Sequence, residues 1–384
     1  MDAPAPLRRT DIESLIPRVG ELWRVFKNRT PRTGTEQEQL AALYDLSGKT
    51  HSMQSIKKLF RIGHGPSSSH TMGPRRAAQR FLEMCPEAKN VRVTLYGSLG
   101  ATGKGHLTDV SIIEALKPKP VEIVWKPEVV LEQHTNGMDF EGFDENGTLI
   151  QSYRCFSVGG GSIIDDRTRG GAPGTEAAAL YDVYDCGNMN QVLKWCEDTG
   201  KPMWQYVYEK EGDSIIGHLQ EVWKTMTDCV KRGLSASGII PGGLNISRKA
   251  RSTYLKAKRL QPASQRTALL FAFALAVGEE NASGGLVCTA PTCGACGVVP
   301  GTLYYMKDVV GSTDEEILQA LAIAGLIGTC IKANASISGA ECGCQAEIGS
   351  ACSMAAGALA FLMGGTPRQI EQAAEVATSP HPPA

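Results

Sequence analysis

The spacing of apolar residues divides the chain into two unlike halves. Between Met53 and about residue 166, apolar and β-branched runs at Val91–Tyr96, Val121–Trp125 and Leu149–Val158 predict strands. Helical patterns at Pro74–Met84 and Asp109–Leu116 lie between them. Further on, the apolar positions follow helical spacing alone. Helices are predicted at Glu176–Tyr184, Met189–Thr199 (closed by Gly200), Met203–Arg232 and Ser252–Gly278. Four more are predicted at Pro300–Lys307, Asp314–Ala333, Glu347–Met363 and Pro367–Ala377. Thr366 before Pro367 supplies an N-cap and a proline at the first helical position, a strong start signal. The predicted fold class is an α/β (α+β) N-terminal domain, 53–166, followed by an all-α helical domain, 175–384. An Asp-, Arg- and Gly-rich linker at 167–174 joins them. Residues 1–52 are polar, helix-prone only over Ile12–Phe26, and read as an N-terminal extension.

Charge and composition narrow the function. With 39 basic and 40 acidic residues the net charge is −1, so there is no electrostatic case for nucleic acid or an anionic membrane. The first dozen residues hold no apolar signal core, and the apolar stretch Ile348–Met363 is too short to span a bilayer. A cytoplasmic location is expected. Seven of the 12 cysteines (Cys288, Cys293, Cys296, Cys330, Cys342, Cys344 and Cys352) fall within the span 288–352. Such crowding fits metal or redox chemistry, and it fits equally a helical core packed with small thiols.

Several Gly-rich segments carry candidate chemistry. Gly63–Pro74 places Ser67, Ser68, Ser69, His70 and Thr71 just before a helix start, a combination of amides and hydroxyls suited to a carboxylate or phosphate. A loop that merely caps a helix has the same composition. In the second segment a strand ending at Tyr96 runs into a turn presenting Lys104, His106 and Asp109, where the carboxylate is placed to fix the histidine tautomer. His134–Met138 alone reads as a turn. In the helical half, Asn281–Gly285 precedes Thr289–Gly297, and Ser338–Glu347 precedes Cys352. Thiolates in such loops ligate soft metals, with zinc on Cys293, Cys296, Cys342 and Cys344 as a generic alternative.

The segments Ser67–Pro74, Tyr96–Asp109, Asn136–Met138, Ser157–Gly161, Ala290–Gly297 and Gly339–Met354 occur in one order. In that order the chain resembles the bacterial single-chain iron–sulfur L-serine dehydratases, from residue 53 to about 376. The resemblance implies an L-serine ammonia-lyase of amino-acid catabolism, releasing pyruvate and ammonia, with a substrate-handling α/β domain joined to a helical catalytic domain. It implies a [4Fe–4S] cluster held by three cysteines, whose open iron acts as a Lewis acid on the serine β-hydroxyl. Carried over by motif, His134 is the expected base and His106 its partner in proton transfer. Ser67, Ser68, Ser69, His70, Thr71, Asn281 and Thr292 are expected to bind substrate or shape the cleft, and Cys344 to ligate iron. The expected partner is small-molecule L-serine, with no nucleic acid or membrane and a homodimer as the candidate assembly.

The sequence also departs from the family. The other two ligands are expected in Thr-Cys-Asp-Pro and Pro-Cys-Ile motifs, and no cysteine follows Cys352. Two of the three cluster ligands are therefore expected to be missing, with both chain ends displaced from the family's. The competing expectation is an inactive, anion- or amino-acid-binding relic.

Overall fold

In a computed structural model, the residues described are 53–165, 183–241, 244–337 and 344–378. All lie in one compact unit, Ser52–Ala384. The predicted extension 1–52, the linker 167–174 and most of the predicted helix at Glu176–Tyr184 fall outside the described residues.

The first half is a five-stranded mixed sheet with helices on one face. Its strands are β2 (Asn90–Tyr96), β3 (Val121–Lys126), β4 (Gly137–Phe143), β5 (Leu149–Ser157) and β6 (Ile163–Asp165), ordered β3-β2-β4-β5-β6. Only the β2–β3 pair is parallel. Helices α1 (Gly73–Met84) and α3 (Thr108–Leu116) cover the apolar face, with a short α2 (Gly97–Thr102) before α3. Alternation explains the layering: Val91, Val93 and Leu95 enter the core with Phe81, Ile112, Leu116 and Phe140. The opposite face carries cross-strand ion pairs, Arg92 with Glu122 at 2.8 Å and Arg154 with Asp139 at 2.6 Å.

The second half is mainly helical. Helices α4 (Met189–Thr199), α5 (Met203–Glu211), α6 (Ser214–Ser235), α7 (Ala250–Ala257) and α8 (Pro262–Ala282) are followed by α9 (Val298–Tyr305), α10 (Asp314–Asn334), α11 (Cys344–Leu362) and α12 (Pro367–Thr378). Helix α10 starts with a full Thr313–Glu316 capping box. It is long and apolar enough to cross a membrane, but 72% of its most apolar window is buried, as in a core helix. Two predicted helices are each broken in two. Gly212, at φ +74°, ends α5, and Pro262 starts α8 after the turn that ends α7.

The halves interlock through a two-stranded sheet. Strand β1 (Ile62–His64) pairs antiparallel with β7 (Leu286–Cys288). Just upstream, Ser55 Oγ and the Ile56 amide both donate to Glu211 at 2.7 Å, fastening the first described residues to α5.

Candidate active site

Because β4 is antiparallel to β2 and β5, the end of β2, the start of β4 and the end of β5 share one sheet edge. The motifs that flank these strands converge there. Gly97 makes the turn out of β2 at φ +48°, and a Cβ at this position would lie 2.5 Å from the Thr135 carbonyl oxygen. Glycine alone accommodates both the left-handed conformation and the approach. The contact joins the His106 segment to the His134 segment, and the Ser98 amide also donates to Thr135 O at 3.2 Å.

The Ser67–Thr71 segment forms a π-helical turn, Ser68–Met72, leading into α1. Ser67 caps it, its hydroxyl accepting from the His70 amide at 3.1 Å. Thr71 Oγ1 donates to His106 O at 2.7 Å, and Thr108 Oγ1 donates to the His70 carbonyl, so turn and loop brace each other. Ser157 Oγ donates to Ser69 O at 2.7 Å. His70 Nδ1 lies 2.9 Å from Ser69 Oγ, and Nε2 lies 3.1 Å from Ser98 Oγ. The His70 and His106 rings are 4.7 Å apart.

Burial, and then the His106 charge, hold His70 down to about pKa 4. In the unfolded chain it titrates near 6.5. His70 thus contributes stability that is fully present above pH 6.5 and is lost as pH falls towards 4, at most about 3 kcal/mol. In urea unfolding at pH 7.5 and 5, His70→Gln is expected to remove most of that contribution to the pH dependence; an unchanged difference would show that His70 does not cause it.

Hydrogen bonds fix two further tautomers. His106 Nδ1 is 3.0 Å from the Thr102 carbonyl, which can only accept, so Nδ1 carries hydrogen and neutral Nε2 holds a lone pair. The carboxylate expected to do this, Asp109, lies in the first turn of α3, and backbone replaces it. At His134 the order is reversed. Its Nδ1 accepts from the Asn136 amide at 3.0 Å, so Nε2 carries the hydrogen and is a donor. Lys104 stands apart, its ammonium 5.5 Å from the Trp125 ring centre. The segment read as a turn at 134–138 runs straight into β4.

The helical half brings Asn281, while Thr292 is buried in the loop before α9. Glu280, at the end of α8, is clamped by Arg232 and Arg248 at 3.2 and 2.8 Å. That steadies Asn281, whose Nδ2 donates to Pro66 O at 3.0 Å. Asn136, which the sequence marks only as part of the Asn136–Met138 motif, donates Nδ2 to Ser157 O at 3.2 Å. Asn136 Oδ1, Asn281 Oδ1 and Thr292 Oγ1 are buried without hydrogen-bond partners. An unsatisfied buried acceptor costs about 1–3 kcal/mol, and a bound ligand with N–H donors would recover it.

The cysteines divide. Cys229, Cys293 and Cys296 pack with Phe273, Val277 and Met72 in an apolar cluster. Burial pushes the thiols of Cys288, Cys293 and Cys296 well up, and Cys229 up to about 12, so these thiols pack here as neutral, apolar side chains. For these residues core packing accounts for the crowding; the zinc alternative on Cys293, Cys296, Cys342 and Cys344 involves two side chains outside the described residues. Cys342 lies outside the described residues. Cys344 begins α11, with its side chain outside them. Among the described residues no three His, Cys, Asp or Glu side chains are placed to hold one metal ion.

Comparison with known proteins gives matches along most of the chain. The family model "Serine dehydratase alpha chain" matches residues 97–381, and "Serine dehydratase beta chain" matches 55–124. The L-serine dehydratase of Streptomyces coelicolor is 39% identical, the match covering 84% of this chain and 81% of that protein. Its Haemophilus influenzae counterpart is 38% identical, covering 85% and 82%. L-serine dehydratase 1 of Escherichia coli is 37% identical, covering 84% and 82%.

Proposed function

Because the chain belongs to the serine dehydratase family, we infer that it converts L-serine to pyruvate and ammonia. The observation that carries the site assignment is the meeting of the His70, His106 and His134 segments, flanked by the buried, unpartnered Oδ1 atoms of Asn136 and Asn281. The lone pair on His106 Nε2 suits it to take the α-proton. The Nε2–H of His134 suits it to donate, which reverses the roles expected from the family motif. His70, held neutral by burial, orients the cleft through Ser69 and Ser98. Asn136 and Asn281 offer Oδ1 acceptors to the substrate ammonium, and Thr292 offers its hydroxyl. Ser67 and Thr71 act by holding the turn, Ser69 by bonding His70, and buried Ser68 by filling the turn. Loss of the α-proton and of the β-hydroxyl as water leaves aminoacrylate, and its imine tautomer takes water back to give pyruvate and ammonia.

The family uses a [4Fe–4S] cluster. Among the described residues no three His, Cys, Asp or Glu side chains are placed to hold a metal ion, and the side chain of Cys344, which matches one family ligand by motif, lies outside them. We assign Cys344 as one iron ligand and leave the proton chemistry to the chain's own side chains.

The test is pyruvate formation from L-serine by protein purified and reconstituted with iron and sulfide under anaerobic conditions. Turnover of L-serine, with stoichiometric ammonia, is expected. Loss of serine turnover with retained serine binding would overturn the lyase reading.

A further inference from the structure

A cavity of about 760 Å³ lies beside the Ser157–Gly161 loop, and none of the three histidines above lines it. Its charged lining is Lys58, Arg61, Arg76, Arg80, Lys332 and Glu83, five cations to one carboxylate. Arg76, Arg80 and Glu83 share one face of α1 at helical spacing. Lys332 reaches in from the last turn of α10, the end that leads towards Cys344. Two of the cations are engaged within the protein. Arg80 pairs with buried Asp165 at 3.2 Å, and Arg61 Nη1 donates to Gly160 O at 2.6 Å. Lys58, Arg76 and Lys332 have no carboxylate partner among the described residues. Burial, followed by the charges of Arg61 and Lys58, brings Lys332 down to about pKa 8. The same forces, burial and then Arg61 and Arg76, lower Lys58.

A fold that gathers like charges without counter-charges raises its own free energy unless something compensates. Two backbone segments, Val158–Gly160 and Ala335–Ile337, line the same space, so it is shaped as well as charged. Its size falls in the range of small-molecule sites.

We propose that this cavity is a binding site for a small anion, a metabolite carboxylate or a phosphate group, held by Lys58, Arg76 and Lys332. The site stands on the cavity and its charges, not on the histidine assignments, so a His106 variant without turnover leaves it intact.

The experiment is calorimetric titration of the full chain with inorganic phosphate and with pyruvate at low ionic strength, repeated in Lys332→Met and Arg76→Met. One anion per chain is expected, with binding about tenfold or more weaker in each variant and weaker in added salt. Each substitution also removes one of a set of like charges. The empty variants are therefore expected to melt no lower than the parent, whereas a merely structural lysine would lower the melting temperature. L-serine identifies the source of the anion. Displacement of phosphate by serine assigns the cavity to the carboxylate end of the substrate, and phosphate retained beside saturating serine assigns it to an effector. Either result keeps the anion site. Absence of binding by both phosphate and pyruvate, or binding unaltered in the two variants, overturns it.

Discussion

Replacing His106 by asparagine is expected to lower kcat for pyruvate formation by about 10²–10⁴-fold, the usual worth of a positioned general base. KM should move far less, because the groups proposed to meet the substrate ammonium, Asn136, Asn281 and Thr292, remain. The hydrogen bond from Nδ1–H to Thr102 O leaves Nε2 as the one ring atom able to accept a proton. His134→Gln keeps a donor near the Nε2–H position and should cost less. Steady-state kinetics on both variants, with matched iron content and circular dichroism, decide the matter. Full turnover in His106→Asn together with loss in His134→Gln would return the base to His134.

The largest effect on stability is expected at Gly233. There α6 crosses α8 so closely that a Cβ would sit 2.2 Å from Ala276 O and 2.7 Å from its Cα. Both are backbone atoms inside a helix, so the clash cannot be relieved by a side-chain rotation. Gly233→Ala is expected to cost ~3 kcal/mol through forced separation of the two helices. The control is Gly278→Ala on α8, where a Cβ meets nothing within 4 Å and helix propensity alone predicts a gain approaching 1 kcal/mol. Urea denaturation of the pair separates the two effects. Equal midpoints would remove close helix approach as the reason for glycine at 233.

Much of this fold can be read from local pattern. Helices at Met189–Thr199, Asp314–Asn334 and Pro367–Thr378 carry their own caps and periodicity, and they stand within a residue or so of the spacing that predicts them. The misses have local causes too. Gly212 and Pro262 sit inside strong helical patterns, and both breaks were signalled by residue type. Strand β4 escaped because Gly137 and Gly142 dilute the alternation of Met138 and Phe140, and its pairing with both β2 and β5 compensates. In the site, every motif was visible as a cluster of Gly, Ser, His and Asn. Their convergence was not visible, because it depends on contacts such as Gly65 N to Gly285 O that no local window contains. Tautomers were also beyond the sequence, since they follow from backbone partners such as Thr102 O and Asn136 N.

The pairing of β1 with β7 has a consequence for how the protein is made. Arg61 and Thr289, at the end of that ribbon, are 228 residues apart in the chain. At ~5–20 residues per second, a ribosome needs on the order of 10–45 s to deliver the second strand after the first. During that interval β1 offers an open edge, and the Ser67–Met72 turn lacks the anchor that Asn281 gives it through Pro66. The sheet of the first half can assemble early from near neighbours, but the cleft can close only late in synthesis. A fragment ending after β6 would carry several of the residues of the site and leave it open, so closure of the cleft depends on pairing between distant parts of the chain.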